Sequence, residues 1–125
     1  MILDTNAVSA ILAGDAQVEL LLSPFDRHHL PVVVIAEYQY GMIGSNLRRR
    51  LEAGFRLLES QSAVLDCDRQ TADWYSAVRH ELRVKGQPIP ENDLWIAALA
   101  RQHALEVVSR DPHFDAVDGV RRLSW

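Results

Sequence analysis

Cysteine is almost missing from this chain, with Cys67 standing alone. A disulfide framework and a thiolate zinc site are therefore excluded, and a reducing cytosol is the expected setting. Lysine is as scarce: Lys85 is the only one among 13 basic residues, the rest being arginine. Arginine suits bidentate phosphate contacts, but genomic codon bias explains the ratio more simply. Positive charge is in deficit overall, with 17 acidic residues, a formal net charge of -4 and a pI near 5.7. That balance excludes a protein that coats nucleic acid by bulk attraction. Long apolar runs are lacking too, since the longest reach about half a dozen residues against the ~20 a membrane helix needs. The opening Met1-Ile2-Leu3-Asp4 carries no basic segment and meets a carboxylate at once, so no signal peptide is expected.

What is present is an ordinary globular composition. The 125 residues are 48% hydrophobic and 24% charged, with a mean hydropathy of -0.09. Disorder is excluded. The length fits one domain, residues 1–125, burying about two-thirds of the surface its unfolded chain exposes.

Patterning alternates strands and helices. Met1–Leu3 reads as a short strand, and Asn6 as the N-cap of a helix over Ala7–Leu12 that Gly14 ends. Asp15 caps a second helix, which Pro24 stops. The continuous run Leu30-Pro31-Val32-Val33-Val34-Ile35 predicts a strand buried on both faces of a parallel sheet. A helix follows over Ala36–Gly44, with Glu37, Tyr40, Gly41 and Gly44 along one side, and another from about Asn46 to Ser60. Ala63–Leu65 predicts a third strand, and Asp66 or Asp68 opens a helix ending near Gly86. Glu91-Asn92-Asp93 opens a helix through His103 that is apolar all round over Leu94–Ala100 and so central. Leu105–Ser109 predicts a fourth strand, and a last one falls near Val120–Leu123. Such alternation implies right-handed crossovers and a three-layer α/β/α architecture with a mostly parallel sheet of four to five strands.

In an open parallel sheet, sites form at the carboxyl ends of the strands near the point where strand order reverses. Asp4, Glu37 and Asp111 each follow a predicted strand, and Asp93 lies in the first turn of the central helix. Taken singly, each has an ordinary role as a cap, a helix-dipole partner or a turn former. Taken together they conflict. Two carboxylates ~5 Å apart repel by roughly 3 kcal/mol at an effective dielectric of ~20, and four of them make six such pairs. Either some of them protonate or a hard divalent cation neutralises the group, and an all-oxygen set selects magnesium or manganese. A cation held by carboxylates takes phosphate oxygens as further ligands, so phosphodiester hydrolysis is the natural chemistry. Arg48-Arg49-Arg50 reads as a solvated helix face before a phosphate rail. His28, His29, His80, His103 and His113 form no i, i+4 pair, and are assigned structural or surface places.

Four segments carry a resemblance: Met1-Ile2-Leu3-Asp4-Thr5-Asn6, Ile35-Ala36-Glu37-Tyr38-Gln39-Tyr40-Gly41, Ile89-Pro90-Glu91-Asn92-Asp93-Leu94-Trp95-Ile96-Ala97-Ala98 and Val108-Ser109-Arg110-Asp111-Pro112-His113-Phe114. In order and spacing, over the full length, the chain resembles the PIN domain, and in particular the VapC-type toxins of bacterial type II toxin–antitoxin pairs. The resemblance implies that Asp4, Glu37, Asp93 and Asp111 form the acidic metal-binding quartet, with Thr5, Asn6 and Ser109 as polar support. Ser109 stands where threonine is common, and Asp115 rivals Asp111 for the fourth acidic place. Further implications are a Mg2+- or Mn2+-dependent, cytoplasmic endoribonuclease that cleaves RNA and inhibits translation, a cognate antitoxin, a homodimer and no membrane association. The alternatives are a PIN-fold module with a non-toxin RNA-processing role or a non-catalytic partner-binding role. A receiver or haloacid-dehalogenase-like phosphotransfer domain is disfavoured: Lys85 is on no predicted strand, and Asn6 stands where the latter needs a second aspartate.

Overall fold

The computed structural model describes all 125 residues, and five short strands form one sheet in it. In chain order the elements are β1 (Ile2–Leu3), α1 (Thr5–Leu12), α2 (Ala16–Leu22), β2 (His29–Pro31), α3 (Val32–Ile43), α4 (Arg48–Ser60), β3 (Ala63–Leu65), α5 (Arg69–Lys85), α6 (Glu91–His103), β4 (Val107–Val108) and β5 (Arg122–Leu123). A 3-10 helix over Pro112–Ala116 links the last two strands. The sheet runs β3-β2-β1-β4-β5, every pair parallel, with Ile2 opposite both His29 and Val107. Right-handed crossovers put α1 to α4 on one face and α5 and α6 on the other. The result is a three-layer α/β/α stack.

The core lies along the central strands. Ile2, Leu3, Leu30, Val107 and Val108 are fully enclosed, and Ile96 to Leu99 of α6 cover them from one side. α6 can be apolar around most of its circumference because it lies between the sheet and α5. On the other face α1 and α4 approach closely at Gly54, where a Cβ would stand 3.1 Å from Leu12 Cδ2. Asp68 caps α5 through a reciprocal capping box with Thr71, and Gly86 ends that helix at φ 68°.

Two sequence expectations are corrected. The run Leu30–Ile35 is not one strand, because β2 ends at Pro31 and Val32 already belongs to α3. Pro31 sits at φ -62° and ψ 142°, a geometry that closes the strand and launches the helix. The β-branched residues then serve helical packing: Val34 and Ile35 are buried with Met42, whereas Val32 is 38% exposed. Tertiary burial outweighs β propensity here. The second correction concerns α1, which begins at Thr5 and is capped by Asp4 rather than Asn6. Asn6 lies inside the helix and uses its side chain for other bonds.

Candidate metal centre

β1 and β4 are neighbours from which the chain crosses to opposite sides of the sheet, so the rim beyond their carboxyl ends is the point of reversal. Asp4 follows β1 directly and is 4% exposed. Its Oδ1 accepts from Thr5 N (2.7 Å), and its Oδ2 accepts from Ser109 Oγ (2.7 Å) and Asn6 Nδ2 (2.9 Å). Burial raises the Asp4 pKa above the ordinary carboxylate value, against the bonds from Ser109 and Thr5, and the charges of Asp93 and Glu37 add to the rise. Ser109 is fully buried just beyond β4. Its Oγ also accepts from Asp111 N (2.9 Å) and Asn6 Nδ2 (3.1 Å). The far end of Asn6 accepts from Arg110 N (3.0 Å), which ties α1 to the loop after β4.

Glu37 reaches the rim from a different place than its sequence position implied. It lies more than one turn into α3, not at a strand end. Thr5 Oγ1 donates to its Oε2 (2.6 Å) and Asn92 Nδ2 to its Oε1 (2.7 Å), so both oxygens are oriented. Asn92 and Asp93 open α6, whose start at Pro90 has no side-chain cap. Burial also raises the Asp93 pKa; the bond with His113 opposes the rise, and Asp111 and Glu37 reinforce it.

Asp111 caps the 3-10 helix, its Oδ1 accepting from His113 N at 3.0 Å. That tight turn folds the His113 ring back over the rim. Its Nδ1 lies 2.8 Å from Asp93 Oδ2 and 2.8 Å from Asp111 Oδ1. One atom from each of Asp93, Asp111 and His113 falls within 4.8 Å of the others. Hydrogen bonds and chain neighbours thus run in a loop from Glu37 through Thr5, Asp4, Ser109, Asp111, His113 and Asp93 to Asn92, and back to Glu37.

The structure brings Asp4, Glu37, Asp93 and Asp111 to one rim, with Thr5, Asn6 and Ser109 beside them. Asp115 is elsewhere: it is exposed and held by Arg122 Nε and Nη2, both at 2.8 Å. Two contributors escaped the sequence reading. The sequence gives His113 no more than a structural or surface place, yet its ring touches two of the acids. Asn92 stands in the sequence only beside Asp93 at a helix start, yet it orients Glu37. The Asp111-Pro112-His113 turn held a signal for the first, because a capping aspartate brings the residue two positions on back against itself. Gly41 and Gly44 have open space where a Cβ would stand, so neither is required for close packing against a neighbouring helix.

Several carboxylates and no sulfur ligand make a donor set that suits a hard divalent cation. No Arg or Lys pairs with any of the four, and His113 is the one basic group in ion-pair contact.

The PIN domain family model matches residues 1–120. "Ribonuclease VapC5" of Mycobacterium tuberculosis is 33% identical over 120 residues, covering 94% of this chain and 87% of that protein. DNA-bound VapBC from Salmonella typhimurium superposes with a TM-score of 0.89 at 28% identity, covering 99% and 96% of the two chains. VapBC-5 of Mycobacterium tuberculosis, a member of the VapBC family of toxin-antitoxin systems, gives a TM-score of 0.81 at 30% identity, covering 99% and 97%. The chain belongs to the PIN domain family, on the branch of the VapC ribonucleases.

Proposed function

We propose that this protein is a metal-dependent endoribonuclease, the RNA-cleaving toxin of a toxin–antitoxin pair, folded as one domain over residues 1–125 and active in the cytoplasm. The observation that carries the reading is the meeting of Asp4, Glu37, Asp93 and Asp111 at one rim, unpaired by arginine or lysine. Those four carboxylates would hold Mg2+ or Mn2+, and a cation bound there would supply water activation and neutralise charge on the phosphoryl oxygens, so no lysine or histidine base is needed. The chain itself orients the acids. Thr5 and Asn92 fix the two oxygens of Glu37, and Ser109 and Asn6 fix Asp4 Oδ2. Preset acceptors lose little freedom when a phosphodiester arrives.

A cognate antitoxin silences the site, and the toxin works as a homodimer. Complexes of the related VapBC proteins support the partner. A cleft of about 510 Å³ between α1, α3 and α4 offers a seat, lined by Leu12, Tyr38, Leu47, Arg50 and Leu51 among others. It adjoins a smaller cleft that reaches Thr5 and Glu37. Tyr40 and Ile43 on α3 are 80% and 64% exposed, leaving apolar surface for further contacts. The phosphatase-like alternative fits poorly, because the side chain of Asn6 is already committed to Asp4, Ser109 and Arg110.

The test is cleavage of purified RNA with Mg2+, with Mn2+ and with chelator, by wild type and Asp93→Ala. Cleavage should require added metal and fall at least about a hundredfold in the variant. Cleavage that survives excess chelator would contradict the reading.

A further inference from the structure

We propose that His113 is a nitrogen ligand of the cation held by Asp93 and Asp111, and that it tilts this site from Mg2+ toward a first-row transition cation such as Mn2+. The inference rests on the metal-dependent reading above and deepens it.

The position of the ring is the first argument. Nδ1 is 2.8 Å from Asp93 Oδ2 and also 2.8 Å from Asp111 Oδ1. A ring nitrogen has one proton or one lone pair to direct, and here it is directed to Asp93 Oδ2, while Asp111 Oδ1 is a close contact at the same distance. A cation seated among the three atoms would take both oxygens and the nitrogen as ligands at once. Adjacent vertices of an octahedron with ~2.1 Å bonds are ~3.0 Å apart, and opposite vertices ~4.2 Å apart. Both nitrogen–oxygen separations are already close to such an edge. The three atoms all fall within 4.8 Å of one another, a spread that one cation draws in with small side-chain movements.

The second argument is how the ring is held. The 3-10 helix over Pro112–Ala116 begins at Asp111, and the same Asp111 Oδ1 that faces the ring accepts the backbone N–H of His113. One ligand therefore aims the next. Phe114 beside it is fully buried and anchors the turn. The His113 side chain is itself 41% exposed, so it can adjust to an incoming ion without disturbing the core.

Donor chemistry then gives the preference. Mg2+ favours oxygen and sheds water reluctantly, whereas imidazole binds transition cations more readily. A set of carboxylates alone gives no reason to leave Mg2+; a carboxylate pair with one imidazole does.

The experiment measures Mn2+ and Mg2+ affinity by calorimetric titration of wild type, His113→Ala and His113→Asp. Spin-echo EPR of the Mn2+-loaded proteins, labelled with 15N-histidine, reports directly bound nitrogen. Wild type should show nitrogen coupling and His113→Ala should lose it, with Mn2+ affinity falling about tenfold or more and Mg2+ affinity by less than about threefold. His113→Asp should restore Mg2+ affinity without the coupling or the preference for Mn2+. Mn2+ bound to wild type without nitrogen coupling, or His113→Ala binding both ions like wild type, overturns the assignment of His113 and leaves the carboxylate site standing. A wild type that binds neither ion, and cleaves RNA equally well in chelator, overturns both.

Discussion

Asp93→Asn isolates the electrostatic load on the rim. The substitution keeps the shape of the side chain and an oxygen for His113 Nδ1, and removes one negative charge. Asp93 and Asp111 present oxygens within 4.8 Å of each other, a separation at which two unit charges repel by about 3 kcal/mol at an effective dielectric of ~20. The side chains are 14% and 30% exposed, and solvent screening leaves about 1 kcal/mol to be recovered. In a domain of this size about 1 kcal/mol corresponds to roughly 3–5 °C in Tm. In chelator, Asp93→Asn should therefore melt about 3 °C or more above wild type. Saturating metal should reverse the order. At a hundredfold excess over Kd, wild type gains ~2.7 kcal/mol, or roughly 8–13 °C, while the variant gains little and cleaves no RNA. Thermal unfolding followed by circular dichroism, with cleavage assayed on the same samples, reads both effects. If Asp93→Asn melts below wild type in chelator, and wild type does not respond to Mg2+ or Mn2+, the rim is not a strained cation site and the reasoning fails.

Asp4 and Asp93 have raised pKa values in the folded state, so their contribution to stability is complete below the ordinary carboxylate pKa of ~4 and is lost as pH rises through the folded values. The metal-free protein should thus be most stable on the acid side of neutrality, and saturating Mg2+ should move the optimum of a Tm-against-pH series upward, because the charged forms are the ligands. Asp15, Asp68, Asp115 and Asp118 have lowered values. Their contribution is present above ~4 and fades below it, which sets the acid limit of the same curve. Ser109→Ala removes a buried hydroxyl that donates to Asp4 and accepts from Asp111 N; chemical denaturation should register a loss of about 1–3 kcal/mol, and cleavage should fall as Asp4 loses its orientation. Leu47→Asp places a charge in the apolar cleft, at a residue that does not line the smaller cleft reaching Glu37. Antitoxin affinity should fall about 10- to 100-fold with cleavage by the free toxin unchanged, as titration of inhibition measures.

Much of the fold is legible in the sequence wherever local signals and tertiary environment agree. The helix from Glu91 to His103 starts and stops at its sequence limits, because acidic residues open it and no competing pattern interrupts it. The strand over Ala63–Leu65 and the helix capped by Asp68 and closed at Gly86 follow from equally local chemistry. Val32–Ile35 misleads because β-branched residues are common to strands and to buried helices, and only packing separates the two. Asn6 misleads because Asp4, two residues earlier, is an equally good cap. Asp4, Asp93 and Asp111 are marked by their placement at element boundaries, whereas Glu37 stands more than one turn inside α3. His113 is not marked in this way, since its role depends on a turn whose geometry appears only once Asp111 has capped it. A search for paired histidines along the chain passes over a histidine whose partners are two aspartates from separate segments.

The bond from Asn92 to Glu37 joins α6 to α3, helices that lie on opposite faces of the sheet and meet at the rim beyond its carboxyl ends. It acts as a clasp between the two outer layers. Unfastening it by Asn92→Ala should let the uncapped first turn of α6 fray, visible as faster amide exchange at Leu94 and Trp95, while the distant β3 edge stays protected. The opening that admits substrate and the seam that holds the layers shut are then the same few atoms, so a molecule bound across the rim also braces the scaffold.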